Sequence, residues 1–216
     1  MKVVLVGATG LVGGSLLGLL EKNDKIESIV LLSRRKNKYT SNKIIEHVID
    51  FEKPDTYSSF VLGDAVFCCL GTTIKAAGSK ENFIKVDYTY PYEIAMAAKK
   101  NGVPAYHVVT SLGANANSSV FYSKVKGNVQ DSILALGFKT CCFYQPSMLL
   151  GERKESRPAE KIGQVVMSFL NFLIPKSYKA ISSLTVAKAM LNNAFDSKDG
   201  LEIIPSSRLF KLAENE

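Results

Sequence analysis

Two periods of apolar residues alternate along the chain. Short runs of apolar, often β-branched residues predict strands over 2–6, 28–32, 47–51, 65–70, 105–109, 139–144 and 201–205. Between them, apolar positions three or four apart predict helices over 11–21, 79–101, 120–136, 159–173 and 184–195. Phe83, Val86, Tyr90, Ile94 and Ala97 mark one face of 79–101, with Pro91 expected to break it into two pieces and Gly102 to end it. The run 65–70 is apolar at every position, as a strand buried on both faces requires. Strands alternating with helices through right-handed crossovers give an α/β fold with a doubly wound parallel sheet. The tail 206–216 is expected to be partly loose.

A length of 216 residues suits one domain, read as 1–216, with 151–200 contributing a small substrate or lid region. No apolar run approaches the ~18 residues needed to span a bilayer, so no membrane association is expected. Met1-Lys2 leads directly into a strand with no cleavage-site pattern, which points to the cytoplasm. The net charge of +7 is spread out apart from Arg34-Arg35-Lys36, and no reader motif accompanies it, so nucleic acid is not an expected partner. The cysteines form two adjacent pairs, Cys68-Cys69 and Cys141-Cys142. Neighbours on a strand point to opposite faces and are badly placed to bond each other. With only His47 and His107 as imidazoles and no C-x-x-C, no metal site is expected.

The candidate chemistry begins at the first strand. Val3-Val4-Leu5-Val6 runs into Gly7-Ala8-Thr9-Gly10-Leu11-Val12-Gly13, a strand, a glycine turn and the start of a helix. This order suits a dinucleotide pyrophosphate: Gly7 for the turn, Gly10 for close backbone approach, Gly13 for helix–strand packing. The N–H groups around Thr9, Leu11 and Val12 lie at the positive end of the helix. The second strand ends in Ser33-Arg34-Arg35, a hydroxyl and two guanidiniums where an NAD site would carry a carboxylate. This favours a 2′-phosphate, hence NADP(H) over NAD(H), although exposed loop arginines would look the same. Asp50 could accept from an adenine amino group with Phe51 packed nearby, or serve only as a turn residue. Leu70-Gly71-Thr72-Thr73 forms a small-residue turn where the nicotinamide half should pass. Ser111 ends the fifth strand, and Tyr122 and Lys126 follow one helical turn apart. A nearby ammonium favours a phenolate, and a serine hydroxyl can hold a carbonyl dipole as charge develops, so the three make a proton-transfer set for hydride chemistry at a carbonyl.

Together these segments resemble the short-chain dehydrogenase/reductase superfamily in its atypical branch, and more closely the oxidoreductases related to the HIV Tat-interacting protein. The resemblance is carried by Gly7 to Gly13, Cys68-Cys69-Leu70-Gly71-Thr72-Thr73, Val86-Asp87, Ser111 with Gly113-Ala114, Tyr122 to Lys126-Gly127, Glu155-Ser156-Arg157-Pro158, and Ala189 to Asn193. It implies an NADP(H)-binding Rossmann fold with a short C-terminal substrate region, and it places Ser111, Tyr122 and Lys126 at the catalytic positions, with Thr110 as the alternative for the serine. It also implies that Gln145, Pro146 and Met148 belong to a loop that closes on the nicotinamide. The helix asparagine of a longer proton relay is missing, and Asp87 lies near its place.

The expected activity is NADP(H)-dependent hydride transfer to or from a small carbonyl or alcohol, by a monomer or a homodimer. The alternative is a regulatory or redox-sensing module that binds NADP(H) without turnover. Sugar-nucleotide epimerisation would use the same three residues but normally needs a longer C-terminal region. The charged stretch Glu152-Arg153-Lys154-Glu155 with Arg157 is either a lid for an anionic or polar substrate or a solvated loop, and Phe172 and Tyr178 read as packing residues.

Overall fold

A computed structural model of the chain describes residues 1–150, 179–196 and 198–214. The expected helix 159–173 and the charged stretch around Glu155, with Phe172 and Tyr178, lie outside the described residues. Strand β1 (Lys2–Val6) lies at the heart of a seven-stranded sheet. Its partners are β2 (Ser28–Ser33), β3 (Ile44–Val48), β4 (Ala65–Cys68), β5 (Ala105–Val109), β6 (Thr140–Gln145) and β9 (Gly200–Pro205). The order is β3-β2-β1-β4-β5-β6-β9, with every pairing parallel. A separate two-stranded ribbon joins β7 (Leu149–Leu150) to β8 (Ile181–Ser182).

The central strands β1, β4, β5 and β6 are buried on both faces, while the edge strands β3 and β9 are partly exposed. Val3 and Leu5 of β1 point into a core shared with α1 (Leu11–Lys22), α6 (Ser183–Asp196) and α7 (Ser206–Glu214). Val4 and Val6 point the other way, into a core shared with α4 (Tyr90–Lys100) and α5 (Phe121–Leu134). Period-two alternation on strands sandwiched between helices therefore leaves no polar face, which is why β1 and β4 read as unbroken apolar runs. The strand order reverses between β1 and β4, and in sheets of this kind ligands bind beyond the carboxyl ends of the strands at such a point.

Two elements differ from expectation, and a third is refined. The third strand is Ile44–Val48 rather than 47–51, because Asp50 and Phe51 belong to the turn after it. Residues 206–214 of the tail form α7, where Leu209 is fully buried and Phe210, Leu212 and Ala213 pack against the same core. The stretch 79–101 is, as expected, a short and a longer helix, α3 (Lys80–Ile84) and α4, but they are joined by a π-helical turn over Lys85–Thr89 that was not anticipated. Pro91 lies four residues after Asp87 and has no N–H to give the Asp87 carbonyl, so the regular α ladder cannot run through this point.

Candidate active site

The glycine turn is built by close contact. Gly7 has φ +88°, and a Cβ on it would lie 2.7 Å from the carbonyl of Cys69. A Cβ on Gly13 would lie 2.1 Å from the Gly7 oxygen. These two glycines are demanded by the packing of β1, α1 and the β4 end on one another. Gly10 differs: its nearest such neighbour is the Gly7 oxygen at 3.3 Å, and its outer side is open. Its N–H closes the turn onto Gly7 O at 3.0 Å. No side chain caps α1, and no acid stands in its first turn. Thr9 and Gly10 are exposed, Leu11 is half-buried, and Val12 and Gly13 are buried. A helix start with these properties can take an anion on its backbone N–H groups.

At the end of β2 the structure amends the reading of Ser33. Its hydroxyl lies 2.9 Å from Glu46 Oε1 and 2.9 Å from the Arg35 carbonyl, so it holds the turn together instead of pointing outward. Arg34 and Arg35 are exposed and make no ion pair among the described residues. Asp50 behaves as a turn residue: one oxygen accepts the Glu52 N–H at 3.0 Å, the other meets Lys53 at 3.5 Å. Phe51 is 6% exposed and stacks on Tyr90 at 5.1 Å, so its ring is part of the core rather than an open platform.

The β4 end carries Leu70, half-buried, and Gly71, exposed. Thr72 donates its N–H to Asp87 Oδ2 at 2.9 Å. The Thr73 hydroxyl accepts from Ala76 N–H at 3.1 Å and caps the short helix α2 (Ile74–Ala77). Lys126 Nζ lies 2.7 Å from Asp87 Oδ1, with side-chain exposures of 5% and 0%. The Lys126 charge, expected to favour the Tyr122 phenolate, is thus also balanced in large part by a buried carboxylate. A Cβ on Gly71 would lie 3.5 Å from Asp87 Oδ1 and 3.6 Å from Lys126 Nζ, so the pair sits directly beneath this turn. Asp87 and Glu46 are the two residues that sequence reasoning left out of the site. Asp87 had a signal, its place in the motif stretch Val86-Asp87 four residues before Pro91.

Ser111 and Thr110 are separated clearly. Thr110 Oγ1 accepts from Gln130 Nε2 at 2.6 Å and faces Tyr144 O at 3.4 Å. Ser111 Oγ is buried and has no hydrogen-bond partner among the described residues. It lines an open depression of about 360 Å³ with Leu112, Tyr122, Pro146, Ser147 and Met148. The Leu112 N–H to Pro146 O bond, 2.9 Å, ties the 146–148 segment to Ser111. Gln145 Nε2 reaches Gln130 Oε1 at 3.4 Å, and Met148 is 54% exposed. The Tyr122 ring leans on Phe83, centroids 5.5 Å apart, which fixes one side of the phenol. Such a site can bind a carbonyl oxygen between a hydroxyl and a phenol.

Comparison with known proteins follows this geometry. The family described as Semialdehyde dehydrogenase, NAD binding domain, matches residues 2–85. Protein HTATIP2 of Rattus norvegicus is 33% identical over 218 residues, covering 99% of this chain and 89% of the relative. Protein FMP52, mitochondrial, of Candida albicans is 33% identical over 227 residues, covering 100% and 99%. Among solved structures, UDP-glucose 4-epimerase of Thermotoga maritima with UDP-glucose aligns at TM-score 0.71 and 14% identity, covering 99% of this chain and 82% of that one. MoeE5 in complex with UDP-glucose and NAD aligns at 0.70 and 14%, covering 94% and 75%. At that identity the likeness concerns the fold. The relatives overturn one expectation: FMP52 proteins of three yeasts are named mitochondrial, against the cytoplasmic location read from the first residues.

Proposed function

This chain belongs to the family of the HTATIP2 and FMP52 proteins, atypical short-chain dehydrogenase/reductases with an NAD(P)-binding Rossmann fold, and on that premise we propose that it is an NADP(H)-dependent reductase or dehydrogenase of a small carbonyl or alcohol. The observation that carries this reading is Ser111: its buried hydroxyl has no hydrogen-bond partner among the described residues, and the residue lines the same depression as Tyr122. An unpaired buried hydroxyl is costly, and a substrate oxygen would satisfy it.

When bound, the nicotinamide supplies or accepts the hydride. The residues supply the rest. Gly10 and the first turn of α1 hold the pyrophosphate, and Arg34 and Arg35 take the 2′-phosphate. Leu70, Gly71 and Thr72, together with Gln145, Pro146 and Met148, would hold the nicotinamide half. Ser111 orients the carbonyl oxygen, and Tyr122 donates its phenolic proton to that oxygen during reduction. Lys126, anchored by Asp87, stands on the same helical face as Tyr122 and holds positive charge near the phenol.

The test is NADPH consumption by the purified chain against a panel of small aldehydes and ketones. Tyr122→Phe should lower kcat about 10²- to 10⁴-fold on any substrate found, and unchanged turnover in that variant would remove Tyr122 from the reaction. The balanced charge of Lys126 favours a second reading, a module that binds NADP(H) without turnover. Tight NADPH binding with no consumption on any carbonyl, and partner binding that depends on NADPH, would select it. The names of the FMP52 relatives support a mitochondrial location, which fractionation of cells carrying the tagged chain would test.

A further inference from the structure

Glu46, half-buried, is bonded to the arginine turn through Ser33 and Asn37. It lies on β3 opposite Leu31 of β2, one strand away from the turn it serves. Its Oε1 receives Asn37 Nδ2 at 2.8 Å and faces Ser33 Oγ at 2.9 Å, and its Oε2 receives the Asn37 N–H at 3.1 Å. The other Asn37 amide hydrogen goes to the Arg35 carbonyl at 2.9 Å, the same oxygen that Ser33 Oγ approaches. The backbone from Ser33 to Asn37 is thus a closed loop with one carboxylate as its common acceptor. Arg34 and Arg35 are carried on the outside of that loop with no ion-pair partner among the described residues.

We infer that Glu46 is a specificity-determining positioning residue, whose carboxylate fixes the Arg34–Arg35 turn and thereby sets the preference for a 2′-phosphorylated adenosine over a plain one. This rests on the dinucleotide reading above. Two features support it. A carboxylate that selects a ribose diol must have free acceptor positions, and here three donors of the turn engage both oxygens. The acid also stays ionised: burial pushes the Glu46 carboxyl up, but hydrogen bonds from Asn37 and Ser33 and the Lys36 charge outweigh it and hold it below the usual range. A charged acceptor makes the stronger hydrogen bonds that a short polar turn needs to hold one shape.

The experiment is a titration of wild type and Glu46→Gln with NADPH and with NADH. Gln keeps the size but loses the charge and one acceptor. Affinity for NADPH should fall about tenfold while NADH affinity stays within about twofold, because only one ligand reads the turn. In an Arg34→Ala/Arg35→Ala background the same Glu46→Gln change should move NADPH affinity by less than about twofold. Asn37→Ala, which removes the side-chain link between Glu46 and Arg35, should reproduce part of the loss and guards against a Glu46 variant that folds poorly. Equal loss for both cofactors would reduce Glu46 to a structural role and overturn the inference. So would stronger NADPH binding, the result expected if its charge merely repels phosphate. An unchanged ratio overturns it while leaving the cofactor reading intact. A wild type with no preference for NADPH defeats the cofactor reading first, and this inference with it.

Discussion

Lys126 Nζ and Asp87 Oδ1 meet 2.7 Å apart beneath the Gly71-Thr72 turn, both side chains closed to solvent. Removing one partner of a buried pair leaves an uncompensated charge, which costs far more than the intact pair contributes. Asp87→Ala should therefore lower stability by about 3–5 kcal/mol in urea unfolding. The Thr72 N–H also loses its acceptor in that variant. Adding Lys126→Met should recover part of the loss. A single variant as stable as wild type would show that the two groups are not paired in solution.

Thr110 and Ser111 are neighbours with opposite duties. The Thr110 hydroxyl is engaged by Gln130, so Thr110→Val should cost about 1–3 kcal/mol of stability and leave kcat nearly unchanged. Ser111→Ala should leave stability almost intact and lower kcat about 10²- to 10³-fold on a confirmed substrate. The reverse pattern would move the orienting role to Thr110.

Two glycines of the same turn should separate folding from binding. Gly13→Ala puts a methyl 2.1 Å from the Gly7 oxygen, and the resulting shift of α1 should cost roughly 1–3 kcal/mol or more. Gly10→Ala meets only one atom, at 3.3 Å, so the fold should hold while NADPH affinity drops. Thermal unfolding beside cofactor titration distinguishes the two effects, and a Gly10→Ala protein that binds normally would mean the pyrophosphate lies elsewhere.

His107 introduces a pH dependence. It is fully buried on β5, with Nδ1 2.9 Å from Tyr144 Oη, and Asn193 Nδ2 links that phenol to Glu202. Burial pushes the imidazole down to about 4. The unfolded chain, titrating near its ordinary ~6.5, then binds the proton more readily than the folded one. Stability from this group is complete above pH 6.5 and is lost as the pH falls toward 4, by up to about 3 kcal/mol. Urea midpoints at pH 7 and pH 4.5 measure it. His107→Phe, which keeps the ring against Phe67, should flatten that part of the slope.

The sheet was legible because parallel strands between helix layers leave a signal that does not depend on distant partners. Val3 to Val6 and Ala65 to Cys68 announce themselves by composition alone. Asp87 and Glu46 were not legible for the opposite reason. Asp87 stands in the motif stretch Val86-Asp87 and Glu46 in an ordinary segment, but the role of each comes from a partner brought near by folding, Lys126 from 39 positions later in one case and Ser33 across a strand pairing in the other. Starting the third strand at 47 also left Glu46 in a loop. The Ser33 hydroxyl is expected to face a cofactor and Asp50 to face either adenine or its own turn, and both turn inward because short polar side chains bond nearby groups when a turn offers them. α7 was missed because nine residues with four apolar ones give little periodicity until Leu209 has a core to enter.

The central claim is that the glycine turn and the arginine turn bind one phosphorylated dinucleotide beside Ser111 and Tyr122. Titration of the purified chain with NADPH and with NADH, followed by ligand fluorescence, tests it most directly. The account predicts saturable NADPH binding and clearly weaker NADH binding. Binding of neither would reduce the glycine turn to a packing device and leave Ser111, Tyr122 and Lys126 without a hydride source.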